Sequence, residues 1–300
     1  MAQKFDNVRV LLGEPDSSLR ASIQSTLYTI GIRDIVSCRA GHLVMPALER
    51  EPIDVVLCDV DLPGLFFADV VRLIRHGGAG HHPFPIVIAT MAKATAEKVQ
   101  AVVHAGVDDI IPKPLQMDVL TSRLKRFIRM RKPFVATEMY VGPDRRTSVR
   151  PDDMAFLMEV PNTLKAKVVD HAGNDAIASL IAKARAELDE RKVHNASLAL
   201  VTLADRVVAF YAGGSDAFDT VRRDIGHLIA HCDGMLRRRA DQPPETTAPI
   251  QAVREVAKKL SERYETPQVS DVASLGRLGE QIRRQLAHDG LAQAVTEEVV

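Results

Sequence analysis

Five short apolar runs, each followed by a stretch of helical periodicity, fill the first 132 residues and leave few architectures open. The runs are residues 8–12, 34–38, 54–58, 85–90 and 108–111, and the helical stretches are 17–29, 41–50, 66–75, 95–105 and 116–131. Such alternation predicts βα units and a parallel sheet, because parallel neighbours must be joined by crossovers long enough to hold a helix. Val55-Val56-Leu57 and Ile86-Val87-Ile88 are apolar throughout rather than at every second position, which is the pattern of strands buried on both faces. An α/β domain is expected over residues 1–132.

A chain of 300 residues exceeds what one core usually organises, so a second domain is expected. From residue 133 to 167 the pattern breaks: Pro133, Gly142, Pro143, Pro151 and Pro161 interrupt any long element, which predicts a linker. Beyond it, Ile177, Leu180, Ile181, Ala184 and Leu188 recur at helical spacing, as do Leu200, Leu203, Val207 and Phe210. Further helices are expected over 216–238, 250–264 and 271–286, separated by Gly213-Gly214, a mobile DQPPETTAP connector and Pro267. Residues 168–300 thus read as an all-α domain, a bundle of four or five helices.

Charge narrows the partners. The 39 Lys and Arg balance 39 Asp and Glu, so no net field favours nucleic acid or an anionic membrane. Residues 134–300 hold 22 basic against 25 acidic residues and show no basic recognition helix, which disfavours DNA binding. Cys38, Cys58 and Cys232 are far apart, odd in number and without CxxC spacing, so neither a disulfide framework nor a zinc site is indicated. With no h-region at the N-terminus and no apolar stretch approaching the ~18 residues of a membrane span, a soluble cytoplasmic protein is expected.

In an open α/β sheet, ligands gather outside the carboxyl ends of the strands. Those ends here carry Glu14 and Asp16, then Asp59 and Asp61, then Thr90, then Lys113. Carboxylates, a hydroxyl and an ammonium converging on one edge suit Mg²⁺ and a phosphoryl group. The hard cation takes oxygen ligands, a carboxylate can attack phosphorus, and the hydroxyl and ammonium can neutralise the transferred oxygens.

Three segments, DVVLCDVDLPG, PIVIAT and AGVDDIIPKPL, occur in order at the third, fourth and fifth strands. On these motifs, roughly residues 7–131 resemble a two-component response-regulator receiver domain. The resemblance implies a flavodoxin-like sheet of order 2-1-3-4-5 with five helices. It makes Asp59 the phosphoacceptor for a histidine kinase or phosphotransfer protein, Thr90 the hydroxyl that bonds the phosphate, and Lys113 its cation, with a cis bond to Pro114. Glu14, Asp16, Asp59 and Asp61 become the Mg²⁺ candidates.

The chain departs from that family at three places. Pro15 stands where receivers usually carry a second acid that ligates Mg²⁺ directly, and Asp16 falls one position late. Ile110 replaces the usual aromatic three residues before the lysine, and Met91 follows Thr90 where a small residue is common. A pseudo-receiver, kept as a phosphorylation-independent scaffold, is the competing reading.

The output lies beyond residue 132, where GGDEF, EAL and HD patterns are absent and no enzymatic activity is expected. Nine basic residues fall between Arg123 and Arg150, and GPDRRTSVR resembles the arm with which PilZ domains grip cyclic dinucleotides. Arg145, Arg146 and Arg150 would then make the chain a cyclic-dinucleotide-responsive adaptor, but no DxSxxG follows, and a solvated basic linker is the preferred reading. His227, in DIGHLIAHCDG, lacks the glycine and lysine expected after a phosphotransfer histidine and reads as a partly buried or simply polar helical residue. What remains is an interaction module that binds an unidentified protein or a second copy of the chain.

Overall fold

The computed structural model describes residues 5, 7–137, 139–146, 157–213, 217–239 and 244–297. Its first element group is a five-stranded parallel sheet: β1 (Arg9–Gly13), β2 (Asp34–Cys38), β3 (Val55–Asp59), β4 (Ile86–Met91) and β5 (Asp109–Pro112), in the order β2-β1-β3-β4-β5. The crossovers hold α1 (Ser17–Thr29), α2 (Val44–Arg50), α3 (Phe67–His76) and α4 (Ala96–Ala105), and α5 (Met117–Arg129) follows β5. This is the flavodoxin-like arrangement expected. Every residue of β3 and β4 is buried, as their unbroken apolar runs predict.

One core forms on each face of the sheet. Val10, Leu12, Val55, Leu57, Ile86 and Ile88 face α1 and α5, whereas Leu11, Val56, Cys58, Val87 and Ala89 face α2, α3 and α4. Gly13 is required by close approach, because a Cβ there would collide with the Sγ of Cys58. The chain can therefore bring the residue after Gly13 to the sheet's carboxyl end.

The described residues of the expected linker at 133–167 form instead a folded extension of the α/β unit. β6 (Phe134–Ala136), β7 (Val141–Pro143) and β8 (Leu157–Met158) form an antiparallel sheet of order β7-β6-β8, followed by α6 (Thr163–Val168). Pro133, Pro143 and Pro161 do not interrupt these strands, which are two or three residues long, and Pro143 ends one; Pro151 lies outside the described residues. Phe134, Ala136, Val141 and Met158 share a small core with Phe84 and with Ala184 and Leu188 of α7 (Asn174–Gly213).

A buried charge cluster anchors this extension. Arg75, fully buried, donates to Gly106 O at 2.8 Å, to Pro83 O at 2.7 Å, to Pro85 O at 2.8 Å and to Asp108 Oδ2 at 2.6 Å. Arg131 donates to Phe84 O at 2.6 Å and Pro161 O at 2.8 Å, and lies 3.3 Å from Asp108 Oδ1. The Phe134 ring lies beneath both guanidiniums, each 5.0 Å from its centroid. Burial lowers the Arg75 pKa to about 10 against the opposing pull of Asp108. Removing one partner from such a buried pair typically costs about 3–5 kcal/mol, since the other charge is left without compensation.

The helical part also differs from expectation in its boundaries. The two periodic stretches beyond residue 174 are one continuous 40-residue helix, α7, and the division into compact units falls within it, between Asp189 and Glu190, rather than near residue 168. In the second unit, α7 residues from 190 onward join α8 (Phe218–Arg238), α9 (Pro244–Glu262) and α10 (Val269–Glu297). Their core includes Leu200, Val207, Ile225, Leu228, Val253, Leu260 and Leu275. Much of the DQPPETTAP segment is helical: Pro244 occupies the first turn, where its missing N–H costs nothing, and Thr247 Oγ1 bonds Pro244 O at 3.1 Å. His227 is exposed on α8, one turn before the half-buried His231.

The absence of a span-length apolar stretch also needs amendment. Helix α7 is long enough to cross a membrane and contains an 18-residue window of mean hydropathy 1.4, a property it shares with core helices of globular domains. Here α7 supplies the core residues just named, and its Asp205 and Arg206 pair with Arg283 and Asp224.

His82 sits beneath the arginine cluster, and burial, reinforced by the charges of Arg131, Arg75 and Lys167, lowers its pKa to about 3. The folded protein keeps it neutral while the unfolded chain protonates it below about 6.5, so stability falls as pH drops from 6.5 toward 3. His82→Asn keeps an acceptor for the Phe84 N–H, which His82 Nδ1 takes at 3.1 Å. Urea unfolding of both proteins between pH 4 and 7 should show a wild-type slope steeper by up to about 1.4 kcal/mol per pH unit; parallel slopes would refute the assignment.

Candidate functional site

The parallel register brings the strand ends to one edge. Gly13 lies between Cys38 and Cys58, Asp59 beside Thr90, and Met91 beside Pro112. Glu14 N donates to Cys38 O at 3.1 Å and Lys113 N to Met91 O at 2.8 Å, so both residues just past their strands stay registered with the sheet. The Lys113–Pro114 peptide is cis.

Two carboxylates meet one ammonium there. Lys113 Nζ bonds Asp59 Oδ2 and lies 2.7 Å from Glu14 Oε2. The remaining oxygens are held alike: Glu14 Oε1 accepts from Asp16 N at 3.0 Å and Asp59 Oδ1 from Asp61 N at 2.8 Å. Each acid is thus oriented by the backbone two residues ahead, with its other oxygen turned to the lysine. Glu14 is 1% exposed and Asp59 5%. Burial opposes charge on Lys113, but hydrogen bonding and attraction from Asp59 and Glu14 outweigh it and raise the lysine's pKa. Thr90 is buried on the neighbouring strand, in register with Asp59. The adjacent Cys58 thiol is pushed well up by burial and by the Asp59 charge, which leaves it unsuited to be a nucleophile at neutral pH.

The other two candidate acids have separate tasks. Asp16 caps α1, its Oδ1 accepting from Leu19 N at 2.7 Å, and Asp61 pairs with Lys98 Nζ at 2.5 Å. No group of three His, Cys, Asp or Glu side chains placed to hold a metal occurs among the described residues. Glu14 and Asp59 remain. Mg²⁺ is commonly held by one or two carboxylates plus waters and phosphate, so this pair fits the ion, with the Lys113 ammonium as its competitor. Lys98 was not legible as a neighbour of Asp61, because 37 residues separate them and no motif links them. Of the linker arginines, Arg145 donates to Val107 O at 2.6 Å and Arg146 to Asp144 Oδ1 at 2.9 Å, while Arg150 lies outside the described residues. Ile110 packs beside the α2–α4 core, and Met91 belongs to that core.

Residues 10–125 match the family model of the response regulator receiver domain. This segment is a receiver domain. It is 29% identical over 132 residues to the response regulator MprA of Mycobacterium tuberculosis (strain ATCC 25618 / H37Rv), covering 44% of this chain and 55% of that protein. A second relative, the sensor histidine kinase GacS of Pseudomonas protegens, is 29% identical over 108 residues, 36% of this chain and 12% of that one. The matched region thus spans about half the length of the MprA relatives. Among solved structures, the receiver domain of sensor histidine kinase PA1611 from Pseudomonas aeruginosa PAO1, described with a magnesium ion in its active site cleft, is 26% identical. It covers 40% of this chain and 97% of that one at a TM-score of 0.36. The BeF3-activated DrrB receiver domain is 24% identical, covering 43% and 100%, also at 0.36.

Lys113→Met would leave two buried carboxylates facing each other. Loss of about 3–5 kcal/mol is expected, by the cost of an unpaired buried charge. Millimolar Mg²⁺ should then raise the variant's melting temperature more than the receiver's own; equal shifts would mean that the cation does not reach the carboxylates.

Proposed function

We infer that the receiver accepts a phosphoryl group on Asp59 from a histidine kinase or phosphotransfer protein. The observation that supports this most is the shared ammonium: Asp59 and Glu14 each direct one oxygen at Lys113 and keep the other on a backbone N–H. In the transfer, an Asp59 oxygen attacks phosphorus, the P–N bond to the donor histidine breaks, and the imidazole leaves with the bonding pair. Lys113 offsets charge on the new acyl phosphate, and Thr90, next in register, offers its hydroxyl to the transferred oxygens. Glu14 and Asp59 would hold Mg²⁺, which supplies charge neutralisation at the phosphoryl oxygens. The modification biases existing conformations of α4, β5 and α5 rather than making a new fold. The helical unit then acts by binding a protein partner, with no catalytic activity of its own.

A second reading, a scaffold indifferent to phosphate, draws support from the diversion of Asp16 to a helix cap and of Asp61 to Lys98, which leaves two carboxylates at the site. Labelling with acetyl phosphate, or with a cognate kinase, separates the two. Mg²⁺-dependent label on the wild type, lost in Asp59→Asn and reduced in Thr90→Ala, is the expected result. Unlabelled wild type, or label surviving in Asp59→Asn, would favour the scaffold.

A further inference from the structure

Helices α1 and α5 border a groove of about 700 Å³ on the receiver, whose lining includes Lys125, Arg126 and Arg129. All three cations are exposed, and none has an acidic partner among the described residues. Their neighbour Arg123, by contrast, lies 3.3 Å from Asp109. Along α5 the spacing sets like charges together: Arg126 and Arg129 are three residues apart and Lys125 and Arg129 four, arrangements that destabilise a helix. The facing helix does not compensate, since the sequence of α1, SSLRASIQSTLYT, contains no acid. The helix dipole favours Arg126 and Arg129 in the last turn, but Lys125 lies before it. Fold stability therefore does not account for the cluster as a whole.

We propose that this groove binds a compact polyanion carrying two or more phosphate groups, held by Lys125, Arg126 and Arg129. Two guanidinium forks and one ammonium provide charge-assisted donors, and the exposed Ser122 adds a hydroxyl. Thr26 and Thr121 line the same groove but donate their protons to Ser22 O and Met117 O, so they limit shape rather than bind the anion. A nucleic-acid backbone fits less well. Three cations within one helical turn neutralise a short anion, the chain carries no net positive charge, and no aromatic side chain lines the groove to stack a base. Asp118 marks the far end, about 10 Å from Lys125 at the helical rise of roughly 1.5 Å per residue, and repels the anion from that side. The groove's lining includes none of Glu14, Asp59, Thr90 or Lys113.

Isothermal titration of the full chain with tripolyphosphate at low ionic strength tests this. Saturable binding is expected, weakened about tenfold or more in Arg126→Ala/Arg129→Ala, as loss of two charge-assisted contacts implies. Binding should also tighten in Asp118→Asn and remain unchanged in Arg223→Ala, an exposed arginine on α8, and in Asp59→Asn. Absence of saturable binding to wild type, or equal weakening in Arg223→Ala, would overturn the proposal. Circular dichroism checks that the variants retain their helices.

Discussion

Asp108 carries two buried guanidiniums, and the folded extension after α5 depends on that arrangement. Arg75 comes from the end of α3 and Arg131 from just beyond α5, and both close over Phe134 at the start of β6. One carboxylate cannot neutralise two arginines, so the remaining charge is spread over carbonyls of Pro83, Phe84, Pro85, Gly106 and Pro161 and over the Phe134 ring. Pro83, Phe84, Pro85 and Gly106 lie on the loops leading into β4 and β5, whereas Pro161 and Phe134 belong to the extension, so the cluster ties those loops to it. A proline-rich segment that would otherwise be a linker is thereby held as a small sheet.

The opposite end of the same sheet reverses the stoichiometry. Glu14 and Asp59 share Lys113, which leaves a formal excess of one negative charge in a poorly solvated edge. That excess favours a cation and opposes an anion at this edge. The two charge clusters thus divide the domain's labour. The base secures the chain that follows, and the carboxyl end keeps its charge incompletely balanced.

Pro15 shows how a local departure is absorbed. With no acid at that position, Asp16 turns to cap α1, and Arg20 holds Glu14 O at 2.7 Å and Pro15 O at 3.2 Å. These contacts hold the loop between β1 and α1. Asp61 meets a similar fate with Lys98, a surface pair of 41% and 49% side-chain exposure and hence of modest strength.

By itself the sequence determined the alternating βα order, the strand ends that carry Glu14, Asp59, Thr90 and Lys113, and the helical character beyond residue 174. Those features follow from periodicity and from motifs confined to a few consecutive residues, where local geometry dictates side-chain direction. Only tertiary structure decided that the described residues between 134 and 158 form a small sheet joined to the receiver, that two helical stretches are one helix, and that Asp16 caps α1 while Asp61 pairs with Lys98. The extension and the pairing of Asp61 depend on contacts between residues distant in the chain, Arg75 with Asp108, Arg131 with Phe84, and Lys98 with Asp61, whereas Asp16 caps its own helix at Leu19. Charged side chains find partners wherever the fold brings one within hydrogen-bonding reach, and no spacing along the chain announces which one that will be.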